Sequence, residues 1–284
     1  MVSAPARRRQ VKLAAKRGLS ERRACALLET ARSGLGYRSK RDVTDEPIIA
    51  RMRELAGQYP RYGYRFVRIF LERQGLPMSA DRAYRLWRKG GLQVPRKRPR
   101  RRTSTKRPRP TPPTGANHVW AIDFVHDHCA NGQKLKCLTV VDEWTRESLA
   151  IDVAGSFRAR RVVNVLARLV SLHGAPAHVR SDNGPEFVSK AMLRWATDER
   201  IETAFIDPGK PWQNGTDESF NGRFRDECLS LEWFRSRAEA TPLIEGWRNH
   251  YNGIRPHSSL GYLTPWEFKK RHEEKTRSGP TSTQ

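Results

Sequence analysis

Three acidic residues of the 284-residue chain lie where the surrounding sequence suggests chemistry rather than a solvated surface. Asp123 interrupts the apolar run of residues 119–125, where an unpaired buried charge would cost several kcal/mol. Asp182 follows a short strand-like segment and precedes a tight Asn-Gly-Pro turn. It is therefore expected at the carboxyl end of a strand, where active sites of α/β sheets often lie. Glu218 is expected at the start of a helix.

Carboxylates from two strands and one helix can hold two Mg²⁺ ions about 3.5–4 Å apart, with one carboxylate bridging them. Such a pair suits in-line displacement at phosphorus, because one ion activates the attacking oxygen and the other stabilises the leaving 3′ oxygen. Asp123, Asp182 and Glu218 are thus candidate metal ligands and catalytic residues. Each also has a structural interpretation, since Asp182 could cap the helix after Pro185 and Glu218 could stabilise the start of its own helix.

The helix predicted around Glu218 offers further candidates. Asn214, Glu218, Asn221 and Arg225 share one side of it, whereas phenylalanines mark another side. The loop before it is bounded by glycine and proline and could grip the end of a DNA strand, although an ordinary surface loop is the alternative. The candidate DNA contacts here are Lys210, Gln213, Asn214, Asn221 and Arg225.

The charge is unevenly distributed along the chain. The whole sequence has 54 basic and 30 acidic residues, of which residues 1–116 contain 31 and 8 and residues 117–284 contain 23 and 22. A basic region is typical of phosphate binding, whereas a neutral region with well-placed carboxylates can hold a divalent cation. No stretch approaches the ~18 consecutive apolar residues of a membrane span. Together with four unpaired cysteine positions, this predicts a soluble cytoplasmic protein with reduced thiols.

Composition and helical periodicity divide the chain into five segments. Two helical segments come first. The first has helix-turn-helix-like spacing, although a plain helical hairpin gives the same pattern, and the second is a further helical segment predicted to bind DNA. A basic, proline-rich linker follows, which can lie along a polyanion but cannot pack a core. The predicted segments are residues 1–42, residues 43–95, the linker 96–116, a catalytic domain 117–272 and a polar tail 273–284.

The last helix of the second segment is the best candidate for a helix that enters a DNA groove. Ser79 is expected to cap it, Tyr84 and Trp87 to pack inward, and Gly90-Gly91 to end it. Basic residues line its other side, although a solvated face would give the same string. The predicted DNA contacts of this helix and of the linker are Arg82, Arg85, Arg88, Lys89, Arg96, Lys97, Arg98, Arg100, Arg101 and Arg102.

The neutral half has the pattern of a mixed α/β sheet with helices on its faces. Three β-branched and apolar runs, the first two separated by an Asn-Gly hairpin turn, precede a helix that Gly174 ends. Two further short strands alternate with helices. The helix that follows the first of these strands is expected to begin at Pro185. The order βββ-α-β-α-β-α predicts this fold class.

Four strings in this half resemble the integrase-core signature of insertion-sequence transposases. The resemblance is specific and covers about residues 117–268, and it is greatest to the catalytic, second-reading-frame subunit of insertion-sequence family three, related to retroviral integrases. The segment around Tyr62-Gly63-Tyr64-Arg65 resembles that family's helix-turn-helix segment. The strings occupy residues 181–187, 208–215, 218–222 and 251–262.

The resemblance implies an RNase H-like fold and a DDE polynucleotidyl transferase that uses two Mg²⁺ or Mn²⁺ ions. The family's metal-binding carboxylates then fall on Asp123, Asp182 and Glu218, the same residues that the strand and helix patterns indicate. One departure is Thr216-Asp217, where many relatives have apolar or aromatic residues. The added acid leaves the choice between Asp217 and Glu218 less secure, although the helix face and the following Ser-Phe-Asn-Gly favour Glu218.

The sequence therefore predicts a DNA transposase that cuts the ends of an insertion element and transfers the freed 3′-hydroxyl to target DNA. The alternatives are an RNase H-type nuclease that only hydrolyses and a non-catalytic DNA-binding regulator. The expected partners are double-stranded DNA, a second copy of the chain in at least a dimer, and the first-reading-frame DNA-binding subunit, acting in the bacterial cytoplasm at the nucleoid. The sequence does not indicate which element end is recognised, which target DNA is preferred or how many copies assemble.

Overall fold

The computed structural model describes residues 4–37, 40–94, 112–205 and 215–277. The chain forms two compact units, Met1–Pro95 and Arg96–Gln284. Within the described ranges, no helix is both long and apolar enough to cross a membrane.

The first unit is helical, as predicted. Ser20 and Ser79 cap the helices that follow them, and their hydroxyl oxygens accept hydrogen bonds from the backbone N–H groups of Arg23 and Arg82 at 3.3 and 3.2 Å. The larger core of this unit buries Met52, among others. The helices are α1 (Ala4–Lys16), α2 (Glu21–Leu27), α3 (Lys40–Gln58), α4 (Tyr64–Arg73) and α5 (Ala80–Lys89).

Three predictions for the first unit are wrong in detail. The sequence predicts a third short helix over residues 31–38, but the described part of that stretch contains only the 3₁₀ turn Arg32–Gly34, because Gly34 and Gly36 favour turns over a continued helix. Pro47 is predicted in the first turn of a helix, where proline is tolerated, but it lies inside α3, which begins at Lys40. Tyr84 is 42% exposed, although Trp87 on the same helix is buried as expected.

The second unit contains a five-stranded sheet in the order β3-β2-β1-β4-β5. The first three strands pair antiparallel, whereas β1, β4 and β5 run parallel. The mixed sheet that the sequence predicts is therefore confirmed. The strands are β1 (Val119–His128), β2 (Lys134–Asp142), β3 (Ser148–Ala154), β4 (His178–Ser181) and β5 (Glu202–Phe205).

Helices cover both faces of this sheet. Trp120 and Ile122 of β1 belong to the core cluster that includes residues of the first two helices of this unit, and Val125 belongs to the cluster on the opposite face. Alternation along β1 thus assigns odd-numbered residues of this stretch to the second face. The helices are α6 (Ala159–His173), α7 (Lys190–Asp198), α8 (Gly215–Phe224), α9 (Arg237–Gly253) and α10 (Pro265–Arg277), and a π-helical turn, Arg225–Leu229, extends α8.

Two predicted boundaries are wrong in this unit. The helix after β4 begins at Lys190 and not at Pro185, because Ser189 is its N-cap and accepts a hydrogen bond from the backbone N–H of Met192. The first hairpin is longer than predicted, since β1 continues to His128 and pairs with Lys134. The chain between β4 and α7 is thereby left as a loop that can carry functional groups.

Candidate active site

Asp123 lies on the sheet face that α8 covers. One carboxylate oxygen, Oδ1, accepts a hydrogen bond from the backbone N–H of Phe124 at 2.7 Å. The other, Oδ2, accepts from the side-chain amide of Asn221 on α8 at 2.8 Å. The half-buried carboxylate therefore accepts hydrogen bonds from two neutral donors. A charge in an apolar strand needs such partners, because leaving it unpaired would cost several kcal/mol.

Asp182 directly follows the strand beside Asp123. In the parallel pair, Val119 lies opposite His178 and Ala121 opposite Arg180. Continuing that register by two residues brings Asp182 next to Asp123 on the same face, and neighbouring strands are about 4.8 Å apart. The side chain of Asp182 is exposed, and its Oδ1 accepts a hydrogen bond from the N–H of Gly184 at 3.0 Å.

The two carboxylates interact through their charges. Burial raises the pKa of Asp123, and the negative charge of Asp182 raises it further. The hydrogen bonds from Phe124 and Asn221 and the charge of Arg225 lower it, but the net shift is upward. In the described ranges, neither carboxylate is within ion-pair distance of a lysine or arginine. Two acids that share a face without a counter-ion are suited to attract a divalent cation.

Glu218 lies in the first turn of α8, where the sequence places it. Its side chain is exposed, whereas that of the neighbouring Asp217 is fully buried. Asn221, one turn further along α8, reaches Asp123, so Glu218 projects from the helix that covers the paired acids. No three acidic, histidine or cysteine side chains of the described ranges form a closed metal-binding group. Glu218 therefore lies one turn from Asn221 on the helix that contacts Asp123, and in the described ranges it does not form a closed group with the two aspartates.

Asn221 contacts the acid pair from inside the fold. It is 8% exposed, and its amide oxygen lies 3.2 Å from the hydroxyl of Thr139, which lies 3.1 Å from the carbonyl oxygen of Asp123. This placement favours a role in orienting Asp123 over the DNA contact that the sequence predicts. Thr139 was missed, although a threonine in an otherwise apolar strand, opposite Asp123 in the hairpin register, is a recognisable signal.

Arg225 begins the π-helical turn that follows α8. Its Nη1 donates a hydrogen bond to the carbonyl oxygen of His126 at 3.1 Å, and the side chain is exposed. π-Helical turns are frequent at functional sites. The residue thus joins α8 to β1 near Asp123, and its side chain remains exposed.

A second set of contacts, absent from the sequence predictions, fixes the loop after Asp182. Lys136 of β2 donates a hydrogen bond to Glu186 at 2.7 Å, and its ammonium lies 3.8 Å from the ring centre of Phe124. Phe124 stacks on Phe187, with ring centres 4.9 Å apart. Burial raises the pKa of Glu186, but the hydrogen bond from Lys136, a backbone hydrogen bond and the charges of Lys136 and His126 together lower it, and the net shift is downward. The loop is thereby attached to the strand that carries Asp123.

The candidate DNA contacts of the first unit have different surroundings. Arg82 and Arg85 of α5 form ion pairs with Asp45 of α3 at 3.1 and 3.2 Å. Arg88 and Lys89 are exposed on the surface of α5. The remaining candidates lie outside the described residues, namely Arg96, Lys97, Arg98, Arg100, Arg101, Arg102, Lys210, Gln213 and Asn214.

The cysteines and His257 have structural surroundings. All four cysteines are free and buried, in agreement with reduced thiols, and burial raises the pKa of Cys137 and Cys228 to about 12. Burial, followed by the charges of Arg255 and Arg223, lowers the pKa of His257 to about 3. His257 is therefore neutral and buried near neutral pH, as a structural role predicts.

Comparison with known families agrees with both units. Residues 113–211 and 199–265 match two families that are each described as Integrase core domain, and residues 44–100 match a family described as HTH-like domain. Asp123 and Asp182 fall in the first match and Glu218 in the second. These matches and the mixed sheet define a protein with an integrase core, and both the predicted mixed-sheet class with flanking helices and the helix-turn-helix-like segment around Tyr62-Gly63-Tyr64-Arg65 are confirmed.

The relatives narrow this class further. The chain is 44% identical over 269 residues to the "Insertion element IS407 uncharacterized 31.7 kDa protein" of Burkholderia multivorans, covering 95% of this chain and 97% of the relative. It is 41% identical to the "Insertion element IS476 uncharacterized 39.2 kDa protein" of Xanthomonas euvesicatoria, over 88% of this chain and 72% of the relative. It is 28% identical to "Transposase InsD for insertion element IS2A/D/F/H/I/K" of Escherichia coli, over 82% of each. The chain therefore belongs to the insertion-element transposases with an integrase core.

Solved structures of integrases also align with the chain. The catalytic core domain of the HTLV-2 integrase in complex with magnesium aligns with a TM-score of 0.42 and 20% identity, covering 55% of this chain and 99% of that one. A simian T-cell lymphotropic virus intasome in complex with the PP2A regulatory subunit B56 gamma aligns with a TM-score of 0.49 and 16% identity, covering 77% and 74%.

Proposed function

We propose that the protein is a DNA transposase that cuts at the ends of an insertion element and joins the freed 3′-hydroxyl to target DNA. The observation that carries this proposal is the charge interaction of Asp123 with Asp182, which the strand register, continued by two residues, brings onto the same sheet face. Neither acid forms an ion pair with a lysine or arginine in the described ranges. Glu218, on the helix over that face, is the third proposed ligand.

The donor set fits a divalent cation. Asp123 has a raised pKa because it is buried and faces Asp182, and a bound cation would relieve both effects. Carboxylate oxygens are the ligands that Mg²⁺ prefers, and we propose two Mg²⁺ or Mn²⁺ ions per site, held by Asp123, Asp182 and Glu218. When bound, such ions activate the attacking oxygen and stabilise the leaving 3′ oxygen.

The residues around the acids orient them. Asn221 occupies one oxygen of Asp123 and leaves the carboxylate plane fixed by two hydrogen bonds. The Lys136–Glu186 pair holds the loop that begins at Asp182. Water is the nucleophile for cleavage and the DNA 3′-hydroxyl the nucleophile for joining, so one fixed set of acids serves both steps.

The basic half supplies the DNA-binding surface in this proposal. Arg88 and Lys89 on α5 and Arg225 beside the acids are exposed and can contact phosphates. The linker arginines and lysines and the loop residues Lys210, Gln213 and Asn214 remain proposed contacts. Because both ends of an element must be held together, we propose that the chain acts as a dimer or larger assembly at the bacterial nucleoid, with a first-reading-frame subunit as a further partner.

The test is incubation of the purified full chain with labelled duplexes that carry the ends of its element, with Mg²⁺ or Mn²⁺. Glu218→Gln removes the ligand charge but keeps the side-chain shape. We expect cleavage and joining to fall by more than the roughly 100-fold that marks the upper range for residues behind a metal ligand. Asp217→Asn is the matched control, because it neutralises the adjacent, buried acid and should lower stability more than activity.

The products separate the proposal from its alternatives. Joined strands that depend on Glu218 support a transposase. Cleavage without joining under all conditions would indicate a hydrolytic nuclease. A protein that binds the ends but cuts none of them, with or without Glu218, would be a regulator. A larger loss from Asp217→Asn than from Glu218→Gln would move the third ligand to Asp217.

A further inference from the structure

Asp45 is a buried carboxylate in the basic unit. Its side chain on α3 is 2% exposed, and it faces two guanidinium groups of α5. Oδ1 accepts a hydrogen bond from Nη2 of Arg82 at 3.1 Å, and Oδ2 lies 3.2 Å from Nη2 of Arg85. One acid thus restrains two arginines that lie one turn apart on the same helix.

Both arginines keep a free surface despite these contacts. Their side chains are 38% and 50% exposed, and they line a cavity of about 420 Å³ together with Arg41, Thr44, Asp45 and a second acid, Asp81. An arginine has five N–H donors in a fixed planar fork, so one bond to Asp45 leaves donors that point outward. A rigid arginine of this kind loses less side-chain freedom on binding than a mobile one.

We propose that Asp45 is a specificity-determining residue for DNA recognition, because it presents Arg82 and Arg85 in one fixed arrangement. This inference rests on the proposed function, since it requires that α5 contacts DNA. The carboxylate acts in two ways. It orients the guanidinium groups for the base edges or phosphates of the correct site, and its negative charge weakens attachment to any other phosphate backbone. Discrimination rises at the cost of general affinity.

Asp45→Asn tests this mechanism against a charge-matched control. Glu46→Gln removes one negative charge from the adjacent position of α3, where Glu46 forms an exposed ion pair with Arg53 at 3.2 Å. Binding of the full chain to a duplex with the element end and to a random duplex of equal length is measured over a series of salt concentrations. The ratio of the two affinities reports discrimination, and the salt dependence reports the number of phosphate contacts.

For Asp45→Asn we expect the affinity ratio to fall by at least about fivefold, the lower limit for one good base contact. Affinity for random DNA should rise, and its logarithmic salt slope should steepen by up to about 0.9, as for one more phosphate contact. Glu46→Gln should leave the ratio unchanged. Circular dichroism and thermal unfolding establish that both variants are folded.

A folded Asp45→Asn protein with the affinity ratio of Glu46→Gln overturns the inference and makes Asp45 a structural ion-pair partner. If Asp45→Asn does not fold, Arg82→Lys combined with Arg85→Lys keeps the charge but removes the planar forks. The inference then requires loss of discrimination with random-DNA affinity retained, and an unchanged ratio contradicts it. Absence of any end preference in the wild-type chain would instead refute DNA recognition by this unit, which is a failure of the proposed function.

Discussion

Asp45 in the helical unit and Asp123 in the sheet unit are both aspartates withdrawn from water and held by side chains of the neighbouring helix. Their partners differ in charge. Asp45 contacts two arginines, whereas Asp123 accepts from the amide of Asn221 and a backbone N–H. The charge of the first carboxylate is neutralised inside the protein, and that of the second is not.

The difference indicates which acid can recruit a cation. A carboxylate between two guanidinium groups has no electrostatic reason to bind a metal, because its charge is already compensated. Asp123 instead has a second acid, Asp182, beside it, and the pKa of Asp123 is raised by burial and by that neighbour. The kind of partner, rather than the presence of an acid in the fold, separates an arginine clamp from a candidate metal site.

Asn221→Lys would give Asp123 a charged partner, as Asp45 has. We expect this substitution to have the largest effect on activity. An ammonium group beside Asp123 would give that carboxylate a permanent counter-ion and compete with Mg²⁺. Cleavage of element ends should fall by more than about 100-fold, the upper range for residues behind a metal ligand. We expect Mg²⁺ to raise the unfolding temperature of the wild type, and this rise should disappear in Asn221→Lys.

Asn221→Gln is the control for this substitution, since it keeps a neutral amide while lengthening the side chain. It should retain part of the Mg²⁺-dependent stabilisation. If Asn221→Lys is folded and still gains stability from Mg²⁺ as the wild type does, charge compensation at Asp123 is not what governs the site.

The acids are recognisable as candidates in the sequence because their signals are local. Asp123 interrupts an apolar strand, and Asp182 precedes a turn, so both are visible without knowledge of distant contacts. The order of strands and helices and the serine caps of α2 and α5 were predictable for the same reason.

The partners of these acids were not predictable, because they depend on tertiary contacts. Helical periodicity put Asn221 on the side of Glu218 but could not show that this position meets β1, 98 residues earlier in the chain. Asp45 and Arg82 are 37 residues apart, and a basic helix side looks the same whether it is clamped or solvated. Pro185 is an acceptable helix start, but Ser189 supplies the cap because the preceding loop docks Phe187 into the core.

His257 is a basic residue whose charged form is disfavoured by burial, as burial disfavours the charged form of Asp123. We expect its protonation to change the free energy of unfolding by about 2 kcal/mol. Burial and two nearby arginines lower its pKa from 6.5 to about 3. A depressed histidine pKa means that the unfolded chain takes up a proton first, so stability is lost as the pH falls below 6.5. By pH 5 this loss should reach about 2 kcal/mol, because each pKa unit corresponds to about 1.4 kcal/mol.

The measurement is chemical denaturation of the wild type and of His257→Phe between pH 7.5 and 5. This range extends ~1.5 pH units below the pKa of a histidine in the unfolded chain. Phenylalanine keeps the aromatic contact with Tyr251 but cannot take up a proton. Other histidines affect both proteins, so the difference between them isolates His257. Equal slopes for the two proteins would show that neither burial nor the charges of Arg255 and Arg223 lower the pKa of His257 in the folded protein.

A smaller effect is expected at Asp123, which is only half-buried. Its pKa is raised above the ordinary 3.8, so its contribution to stability is fully present below pH 3.8 and is lost as the pH rises through the raised value. In a chelator, the free energy of unfolding of the wild type should therefore decline with pH relative to Asp123→Asn. Asp182→Asn should reduce this decline by removing one of its causes, and Mg²⁺ should reverse it. A decline that persists undiminished in Asp182→Asn would mean that burial alone disfavours the charge of Asp123. Asp123 would then differ from Asp45 because it is buried without a cationic partner, and not because a second acid lies beside it.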